Sequence, residues 1–396
     1  METLRIPSLG ESKASRLQAA TGQVALQRDR ARSIDVFSAP SFSDQQISFE
    51  MDVENSLPSH EGWGPGPNAD TPATGDAVQD MDVLSRRSSA SGVGVEARAL
   101  LAEHPDSDNL ACILHLKGQE HQRRPNPHYI SSVQTDVNEK MRAILMDWLA
   151  EVAQEWSLCG DTLFLAVNLV DRFLSVRAVP RTDLQLVGAA CLWVACKYEE
   201  LSPPTASDFV YITDDTYTKE QVVVMEAVIL GTLGFEVTVP TVKAFLRCLL
   251  KGCGANKNLH YLSNYLAELS LLDHTMMRYL PSEIAAAAVY LANLMLGKHQ
   301  PWDNTLQHFA TYNATQLASC VQALAALHHA MSVCPTLVSI RTKYAAPRCR
   351  AVSLLHPLQH LHVTPDQGVM VCDRHYMELP RQHSSTGSCC SSQTQA

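Results

Sequence analysis

The segment 141–156, MRAILMDWLAEVAQEW, has three faces when it is drawn as a helix with about 100° per residue. The first is a narrow polar strip, and the second is an apolar stripe that includes one charged residue, Arg142. The third is apolar apart from one carboxylate at its edge, and its members are Met141, Ile144, Trp148 and Glu151. A helix that buries one face needs no third apolar face. The pattern therefore predicts either a second buried contact or a surface groove for another chain.

Apolar residues recur with a helical period through the whole central region of the chain. They divide into ten segments joined by short loops, five within about 139–236 and five within about 238–333. In each half the third segment is rich in small residues and nearly uncharged, as Gly188 and Ala189 illustrate, which suits the central helix of a bundle. The two halves repeat an architecture rather than a sequence. We predict an all-α fold of two consecutive five-helix bundles, preceded by a short helix near 109–117.

Composition sets the boundaries of these bundles. Residues 1–107 are rich in Ser, Asp, Gly and Pro without a sustained period, so they predict a disordered regulatory tail. We assign 108–138 to the N-terminal helix and a linker, 139–236 to the first bundle and 237–345 to the second. Residues 346–396 are predicted to form a mostly disordered C-terminal extension, and no run between the two tails resembles a β-hairpin.

Two helix ends can be placed from local chemistry. The segment DTLFLAVNLVDRFLS is predicted to begin with Asp161 or Thr162 as its N-cap, because both side chains can accept a hydrogen bond from the first helical turn. The segment TKEQVVVMEAVILGTLG is predicted to end at Gly234, which can adopt the left-handed conformation that closes a helix.

The net charge, the cysteines and the apolar run lengths limit the kinds of partner that this chain is expected to bind. The net charge of −10 argues against general nucleic-acid binding, which needs clustered Lys and Arg. All twelve cysteines lie from Cys112 onward without zinc-ligand spacing, so we expect reduced intracellular thiols with packing roles. The longest uncharged apolar run, 186–196, is far shorter than the ~20 residues that a membrane-spanning helix needs. We therefore expect no direct nucleic-acid partner and no membrane partner.

Three charged positions stand out within the apolar helices. Arg142 must be paired, because an unpaired buried charge costs several kcal/mol, and Asp171 on the inward face of the next helix is the leading partner. A structural ion pair is favoured over a catalytic role. Lys197 and Glu226 close long apolar helices; from spacing alone they are a cation at a helix C-terminus and a solvated helix position.

No recognisable catalytic motif occurs. The chain lacks the phosphate-binding and dinucleotide-binding glycine patterns, the G-x-S-x-G nucleophile pattern and H-E-x-x-H. The sixteen His are scattered and form no second cluster that would complete a metal site. We predict a non-enzymatic protein with no metal site.

Several long segments nevertheless resemble a known family. MRAIL-x-DWL, TLFLAVNLVDRFLS, LQLVGAACLWVACKYEE, DFVYITDDTYTKEQVVVMEAVIL and YLPSEIAAAAVYLAN closely resemble an A-type cyclin, over about 109–357. The resemblance implies a pair of cyclin boxes. It also implies a non-catalytic regulatory subunit that binds and activates a cyclin-dependent serine/threonine kinase and controls S phase and G2/M progression. ATP and magnesium would belong to the kinase, so no cofactor is expected in this chain.

The same resemblance implies roles for individual residues. The kinase-binding set matches Lys197, Glu226, Tyr198, Leu230, Phe235 and Ile113. The hydrophobic patch, which in the family docks R-x-L segments of substrates and inhibitors, matches Met141, Ile144, Leu145, Trp148, Glu151, Leu184 and Gln185. The residues that hold the first box together match Arg142, Asp171 and Leu186, which agrees with the ion-pair interpretation.

Family membership carries further expectations and one rival. It implies residence in the nucleus, and also the cytoplasm, and turnover by ubiquitin-ligase machinery. The N-terminal helix, ILHLKGQEHQRRPNPHY, departs from the family's Tyr-Leu-Arg core, and residues 98–101 fit only the first four positions of a destruction box. The alternative is a cyclin-fold transcription factor or scaffold without a kinase partner, which would need a basic face or a different groove.

Overall fold

The computed structural model describes residues 107–358, 361–364 and 368–371. Apart from Ser107, the predicted N-terminal tail lies outside the described residues. Through residue 358 every regular element of the described chain is an α-helix or a 3₁₀ turn, so the all-α fold class is confirmed. No helix in this part of the chain is both long and apolar enough to cross a bilayer.

The first bundle has the five predicted helices, with two short helices before it. The preceding helices are α1 Ser107–Gln119 and α2 Tyr129–Ser132. The bundle consists of α3 Glu139–Glu155, α4 Gly160–Leu174, α5 Leu184–Glu199, α6 Ala206–Ile212 and α7 Lys219–Thr232. A 3₁₀ turn at Arg181–Asp183 leads directly into α5. Asn138 caps α3, because its side chain accepts a hydrogen bond from the backbone N–H of Met141.

The second bundle repeats the five-helix arrangement. It consists of α8 Val242–Gly252, α9 Lys257–Leu269, α10 Pro281–Met295, α11 Asn304–Ala310 and α12 Ala314–Val333. A 3₁₀ turn at His274–Arg278 separates α9 from α10, and α13 Ser339–Ala345 follows the bundle. Both bundles have their small-residue helix, α5 or α10, buried along most of its length, as the sequence pattern predicted.

Gly188 shows why small residues are needed in α5. A Cβ atom at this position would lie 2.6 Å from the Leu145 Cδ1 atom of α3, closer than real Cβ atoms approach other groups. The absence of a side chain therefore lets α3 and α5 pack in direct contact, which brings the two helices of the predicted patch together.

One of the two predicted helix ends is right and the other is wrong. Gly234 follows α7 with φ of +61°, the left-handed conformation predicted for it. Helix α4 instead begins at Gly160, with Cys159 as N-cap, so neither Asp161 nor Thr162 caps it. The Thr162 hydroxyl donates to the Glu200 carboxylate at 2.5 Å, and the Cys159 N–H donates to the same oxygen at 2.8 Å. A carboxylate from the end of α5 thus replaces the local cap.

The described part of the C-terminal extension contains regular structure that was not predicted, whereas residues 372–396 lie outside the described residues. Two 3₁₀ turns, Pro347–Cys349 and Val352–Leu354, bury Cys349 and Val352. Strands β1 Leu361–Thr364 and β2 Gly368–Val371 then pair antiparallel and pack on α12. The sequence pattern missed this hairpin because each strand has only four residues, which is too few for a period of two to stand out.

The N-terminal helix α1 packs on the second bundle, against α8 and α11. The buried Glu120 carboxylate accepts hydrogen bonds from the Ser282 N–H at 3.1 Å and from its hydroxyl at 2.9 Å, at the start of α10. Lys117 donates to the Ala310 carbonyl at 3.2 Å, and its ammonium lies 3.8 Å from the centre of the Tyr312 ring. A negative charge at a helix N-terminus is favourable, so Glu120 anchors α1 to α10.

Candidate protein-interaction surfaces

The predicted ion pair between Arg142 and Asp171 is present and buried. Arg142 Nε and Nη2 donate to the two carboxylate oxygens of Asp171, each at 2.7 Å. The Tyr129 hydroxyl donates to the same carboxylate at 2.9 Å, and Arg142 Nη1 donates to the Leu271 carbonyl at 2.9 Å. Burial is the largest single influence and works to lower the pKa of Arg142, but the charge and hydrogen bonds of Asp171, together with Tyr129, raise that pKa overall. The pair therefore joins α3 to α4 and also ties the first bundle to the second. Leu186, the third predicted core residue, is buried in α5.

Lys197 and Glu226 are brought together by the packing of α5 on α7. Their side chains form an ion pair, in which the Lys197 side chain is 36 % exposed. The Lys197 ammonium also lies 3.7 Å from the centre of the Trp193 ring, a cation–π contact. Trp193 is held in place by the hydrogen bond from its Nε1 to the Pro204 carbonyl, 3.1 Å long. Lys197 and Glu226 therefore form a defined ion pair between two helices. Spacing alone had indicated only a cation at a helix end and a solvated helix position.

Exposed apolar side chains lie on, or directly after, the two helices that carry this ion pair. Tyr198 and Phe235 are exposed, as is Leu201 in the loop after α5, whereas Leu230 is half-buried. Val223, three residues before Glu226 on α7, adds a further exposed aliphatic side chain. We call this the α5–α7 surface, and it comprises Lys197, Tyr198, Leu201, Val223, Glu226 and Phe235. A cluster of exposed large apolar residues around a charged pair is typical of a protein-binding site.

Phe235 has a backbone conformation that is unusual for its residue type. Its φ is +58°, directly after the left-handed Gly234, and its side chain is 72 % exposed. A non-glycine residue in this region costs on the order of 1–3 kcal/mol, and such strain concentrates at functional sites. The neighbouring Glu236 is held by Arg123, whose Nε donates to its carboxylate at 2.9 Å. The conformation directs an aromatic ring into solvent where a partner could bind it.

Ile113, the remaining member of the predicted kinase-binding set, is buried in this structure. Its side chain is 1 % exposed in α1 and belongs to the hydrophobic core, so it presents no accessible surface. Residue type alone could not distinguish these cases, because an isoleucine in a short amphipathic helix suits a core position and a contact position equally.

The third face of α3 is largely a buried contact. We call it the α3 patch, and it comprises Met141, Ile144, Leu145, Trp148 and Glu151 of α3 with Leu184 and Gln185 of α5. Five of these seven residues are buried, Trp148 being 5 % exposed, while Ile144 and Glu151 are half-buried. The accessible part of the patch is therefore the edge formed by Ile144 and Glu151, and an open groove is not present along the whole face.

Two polar groups of the α3 patch lack partners. Trp148 Nε1 and Gln185 Nε2 are both buried hydrogen-bond donors that have no acceptor among the described residues. A buried donor without an acceptor costs about 1–3 kcal/mol. Such donors are suited to the backbone carbonyls of a bound peptide, which would supply the missing acceptors.

The α5–α7 surface and the α3 patch lie at opposite ends of one rigid helix. Leu184 and Gln185 begin α5, and Lys197 lies in its last turn. Lys197 lies thirteen positions after Leu184, so at 1.5 Å per residue the two are about 20 Å apart along the helix axis. The two surfaces are therefore distinct.

Sequence reasoning missed several contributors to these surfaces. Trp193 lies four residues before Lys197 on the same helix, which places the two side chains on one face, so spacing could have revealed it. Leu201 and Val223 carried no signal, because single exposed aliphatic residues are common on protein surfaces. Tyr129 is remote in sequence from Asp171, and no local pattern connects them. Among the described residues no group of three His, Cys, Asp or Glu side chains is placed to bind a metal ion.

Comparison with known proteins defines the class of this fold. The cyclin N-terminal domain model matches residues 111–238, and the cyclin C-terminal domain model matches residues 240–358. The solved structure of a viral cyclin from herpesvirus saimiri is similar with a TM-score of 0.50 and 21 % identity, over 54 % of this chain and 95 % of that chain. The chain therefore belongs to the cyclin family, and the two bundles are its two cyclin boxes.

Its curated relatives are A-type cyclins. Cyclin-A2-1 of Oryza sativa subsp. japonica is 44 % identical over 239 residues, which cover 59 % of this chain and 49 % of that protein. The G2/mitotic-specific cyclin-A of Hydra viridissima is 46 % identical over 248 residues, which cover 62 % of this chain and 58 % of that protein. The chain matches only about half the length of these relatives, and the resemblance noted from the sequence motifs is confirmed for the matched region.

Proposed function

We propose that this chain is the non-catalytic regulatory subunit of a cyclin-dependent serine/threonine kinase, which it binds through the α5–α7 surface. The observation that carries the proposal is the exposed Lys197–Glu226 ion pair, framed by exposed apolar side chains that nothing in the described chain covers. The ion pair and the apolar side chains suit one protein partner, because aromatic and aliphatic contacts supply affinity while a charged pair fixes the orientation of the partner.

The proposed mechanism is selection of an active kinase conformation. The kinase alone would populate an inactive arrangement of its C-helix and activation loop, and the rigid α5–α7 surface would bind the active arrangement more tightly. In that arrangement the Lys–Glu ion pair of the kinase forms and ATP can be aligned with magnesium. ATP and magnesium would be bound by the kinase, so this chain would contribute binding energy and shape but no chemistry.

The test compares surface variants in a co-purification and kinase assay. Lys197→Ala combined with Glu226→Ala, and separately Phe235→Ala, should each weaken binding to a cyclin-dependent kinase by tenfold or more, with unchanged circular dichroism. Val333→Ser is the matched control for Phe235→Ala, because the two residues are similarly exposed and Val333 lies on α12, outside the α5–α7 surface. Undiminished activation by the first two variants would contradict the proposal. Binding to DNA without any kinase partner would instead favour the alternative, a cyclin-fold transcription factor or scaffold.

We further propose that the α3 patch recruits R-x-L segments of substrates and inhibitors. The apolar members would receive the peptide leucine, Glu151 would face its arginine, and the unpartnered donors of Trp148 and Gln185 would bind peptide carbonyls. Because five of the seven patch residues are buried, peptide entry would involve local side-chain rearrangement around Ile144.

Charge reversal at the accessible edge tests this docking role. Glu151→Arg should reduce phosphorylation of a substrate that contains R-x-L by about tenfold, and should leave activity on a short peptide without R-x-L unchanged. Glu139→Arg is the matched control, because Glu139 is an exposed carboxylate in the first turn of α3 and lies on a different side of that helix from Glu151. An equal loss on both substrates would argue against a docking site. Trp148→Ala is a poorer test, because removing a buried indole costs about 3–5 kcal/mol of stability.

We also propose three properties on family membership alone. The chain would act in S phase and at G2/M, would reside in the nucleus and also in the cytoplasm, and would be removed by ubiquitin-ligase machinery. Imaging and quantification of the tagged full-length chain through a synchronised cell cycle would test all three. A constant level at every stage would contradict regulated turnover.

A further inference from the structure

Two cysteines, one in the N-terminal helix and one in the second bundle, lie in direct contact. Cys248 of α8 donates a hydrogen bond to Cys112 of α1, and their sulfur atoms are 3.4 Å apart. Both are free thiols, Cys112 being exposed and Cys248 half-buried. A disulfide bond is about 2.05 Å long, so the sulfurs would have to approach by only about 1.3 Å.

The contact lies where α1 has few polar anchors. The hydrogen bonds that hold α1 to the second box come from Lys117, at the end of the helix, and from Glu120 just beyond it. The first half of α1 is held by buried apolar side chains, Leu110 and Ile113. A covalent bond at Cys112 would therefore fix the half of the helix that hydrogen bonds do not fix.

We propose that Cys112 and Cys248 are an oxidation site, at which a peroxide converts the two thiols to a disulfide that locks α1 onto α8. The Cys112 sulfur first attacks hydrogen peroxide, the O–O bond breaks, and a sulfenic acid and one water form. The Cys248 sulfur then attacks the sulfenic sulfur, the S–S bond forms and the S–O bond breaks. The departing oxygen takes the Cys248 proton and leaves as a second water. Two thiols lose two electrons in total, and one peroxide is reduced.

Exposure and protonation assign the order of the two steps. Cys112 is accessible to a dissolved oxidant, whereas burial raises the pKa of the Cys248 thiol to about 12, with the neighbouring Cys112 adding to the shift. A thiol with a raised pKa is a poor first nucleophile for peroxide, because the thiolate is the reactive form. Cys248 therefore acts as the resolving thiol. It too reacts as the thiolate, and its contact with the Cys112 sulfur compensates for the small thiolate fraction by making the second step intramolecular.

Peptide mapping of the oxidised full-length chain tests the proposal. After treatment with hydrogen peroxide and trypsin without reductant, we expect a disulfide-linked pair of peptides, residues 99–117 with residues 248–251. The cross-link should raise the Tm by on the order of 5–10 °C, and dithiothreitol should reverse the shift. Oxidation in urea should yield much less of this pair, because the pairing depends on the fold.

Matched cysteine variants make the result specific. Cys112→Ser and Cys248→Ser should each abolish the linked peptides and the shift in Tm. Cys253→Ser should retain both, because Cys253 is half-buried at the end of the same helix but its sulfur contacts the Leu250 carbonyl instead. The proposal is overturned if Cys112 accumulates as sulfinic acid without a cross-link, or if the disulfide joins two copies of the chain.

Discussion

The single side chain of Arg142 connects three separate parts of the molecule. It lies in α3, pairs with Asp171 in α4, and donates to the Leu271 carbonyl beyond α9. The second box has a comparable buried carboxylate, Glu268, which accepts from Lys343 and from the Tyr344 hydroxyl at 2.7 Å each. Each box therefore closes around a buried carboxylate that a cation and a tyrosine satisfy, which is the arrangement that makes buried charge tolerable.

Removing one member of the first cluster should be costly, whereas removing both charges should cost less. Arg142→Met would leave the Asp171 carboxylate buried without its cation, and we expect a loss of about 3–5 kcal/mol in the free energy of unfolding. Arg142→Met combined with Asp171→Leu should lose less than the sum of the two single changes. Urea unfolding of the two single variants and the double variant measures this coupling. As a comparison, Tyr129→Phe removes only one hydrogen bond to Asp171 and should lower the free energy of unfolding by about 1 kcal/mol. Strict additivity of the two charge changes would contradict a direct pair.

Among helices, α5 determines the positions of both surfaces. Its first turn supplies Leu184 and Gln185 to the α3 patch, and its last turn supplies Lys197 to the α5–α7 surface. Its middle is uncharged and nearly completely buried, and Gly188 allows α3 to pack directly on it. The small residues therefore set the geometry of the patch, although none of them belongs to it.

A methyl group at Gly188 should disturb this packing. Gly188→Ala would place its Cβ against Leu145, so we expect a loss of about 1–3 kcal/mol in unfolding free energy, despite the better helix propensity of alanine. Gly231→Ala is the matched control, since that helical position in α7 has open space around it and should gain up to about 1 kcal/mol. Chemical denaturation measures both. Equal stabilisation by the two substitutions would show that α3 and α5 can separate without cost.

For the molecule as a whole, the separation of about 20 Å along α5 predicts that the two surfaces act independently. Phe235→Ala should weaken kinase binding without changing the selectivity of the saturated complex for R-x-L substrates. Glu151→Arg should reduce that selectivity without changing kinase affinity. The double variant should therefore show the sum of the two effects, within about 0.5 kcal/mol. Titration calorimetry measures the affinity for the kinase, and substrate competition assays measure the selectivity for R-x-L substrates. A large coupling term between the two changes would mean that the surfaces share one conformational change.

Local pattern was sufficient for much of this architecture. The period of the apolar residues determined the ten helices of the two boxes, because each helix must bury one face whatever its neighbours are. The cost of an unpaired buried charge predicted that Arg142 has a partner, and the inward position of Asp171 on the next helix identified that partner. Long motifs of the cyclin boxes were sufficient to indicate the family.

Tertiary contacts decided the rest, because exposure depends on residues that are distant along the chain. They buried Ile113 and most of the α3 patch, replaced the expected cap of α4 with Glu200, and paired the strands of the C-terminal hairpin. They also joined Tyr129 to the Arg142 pair and placed Cys112 against Cys248, 136 residues further along the chain. A periodic pattern specifies which face of a helix is apolar, but only the assembled molecule specifies what covers that face.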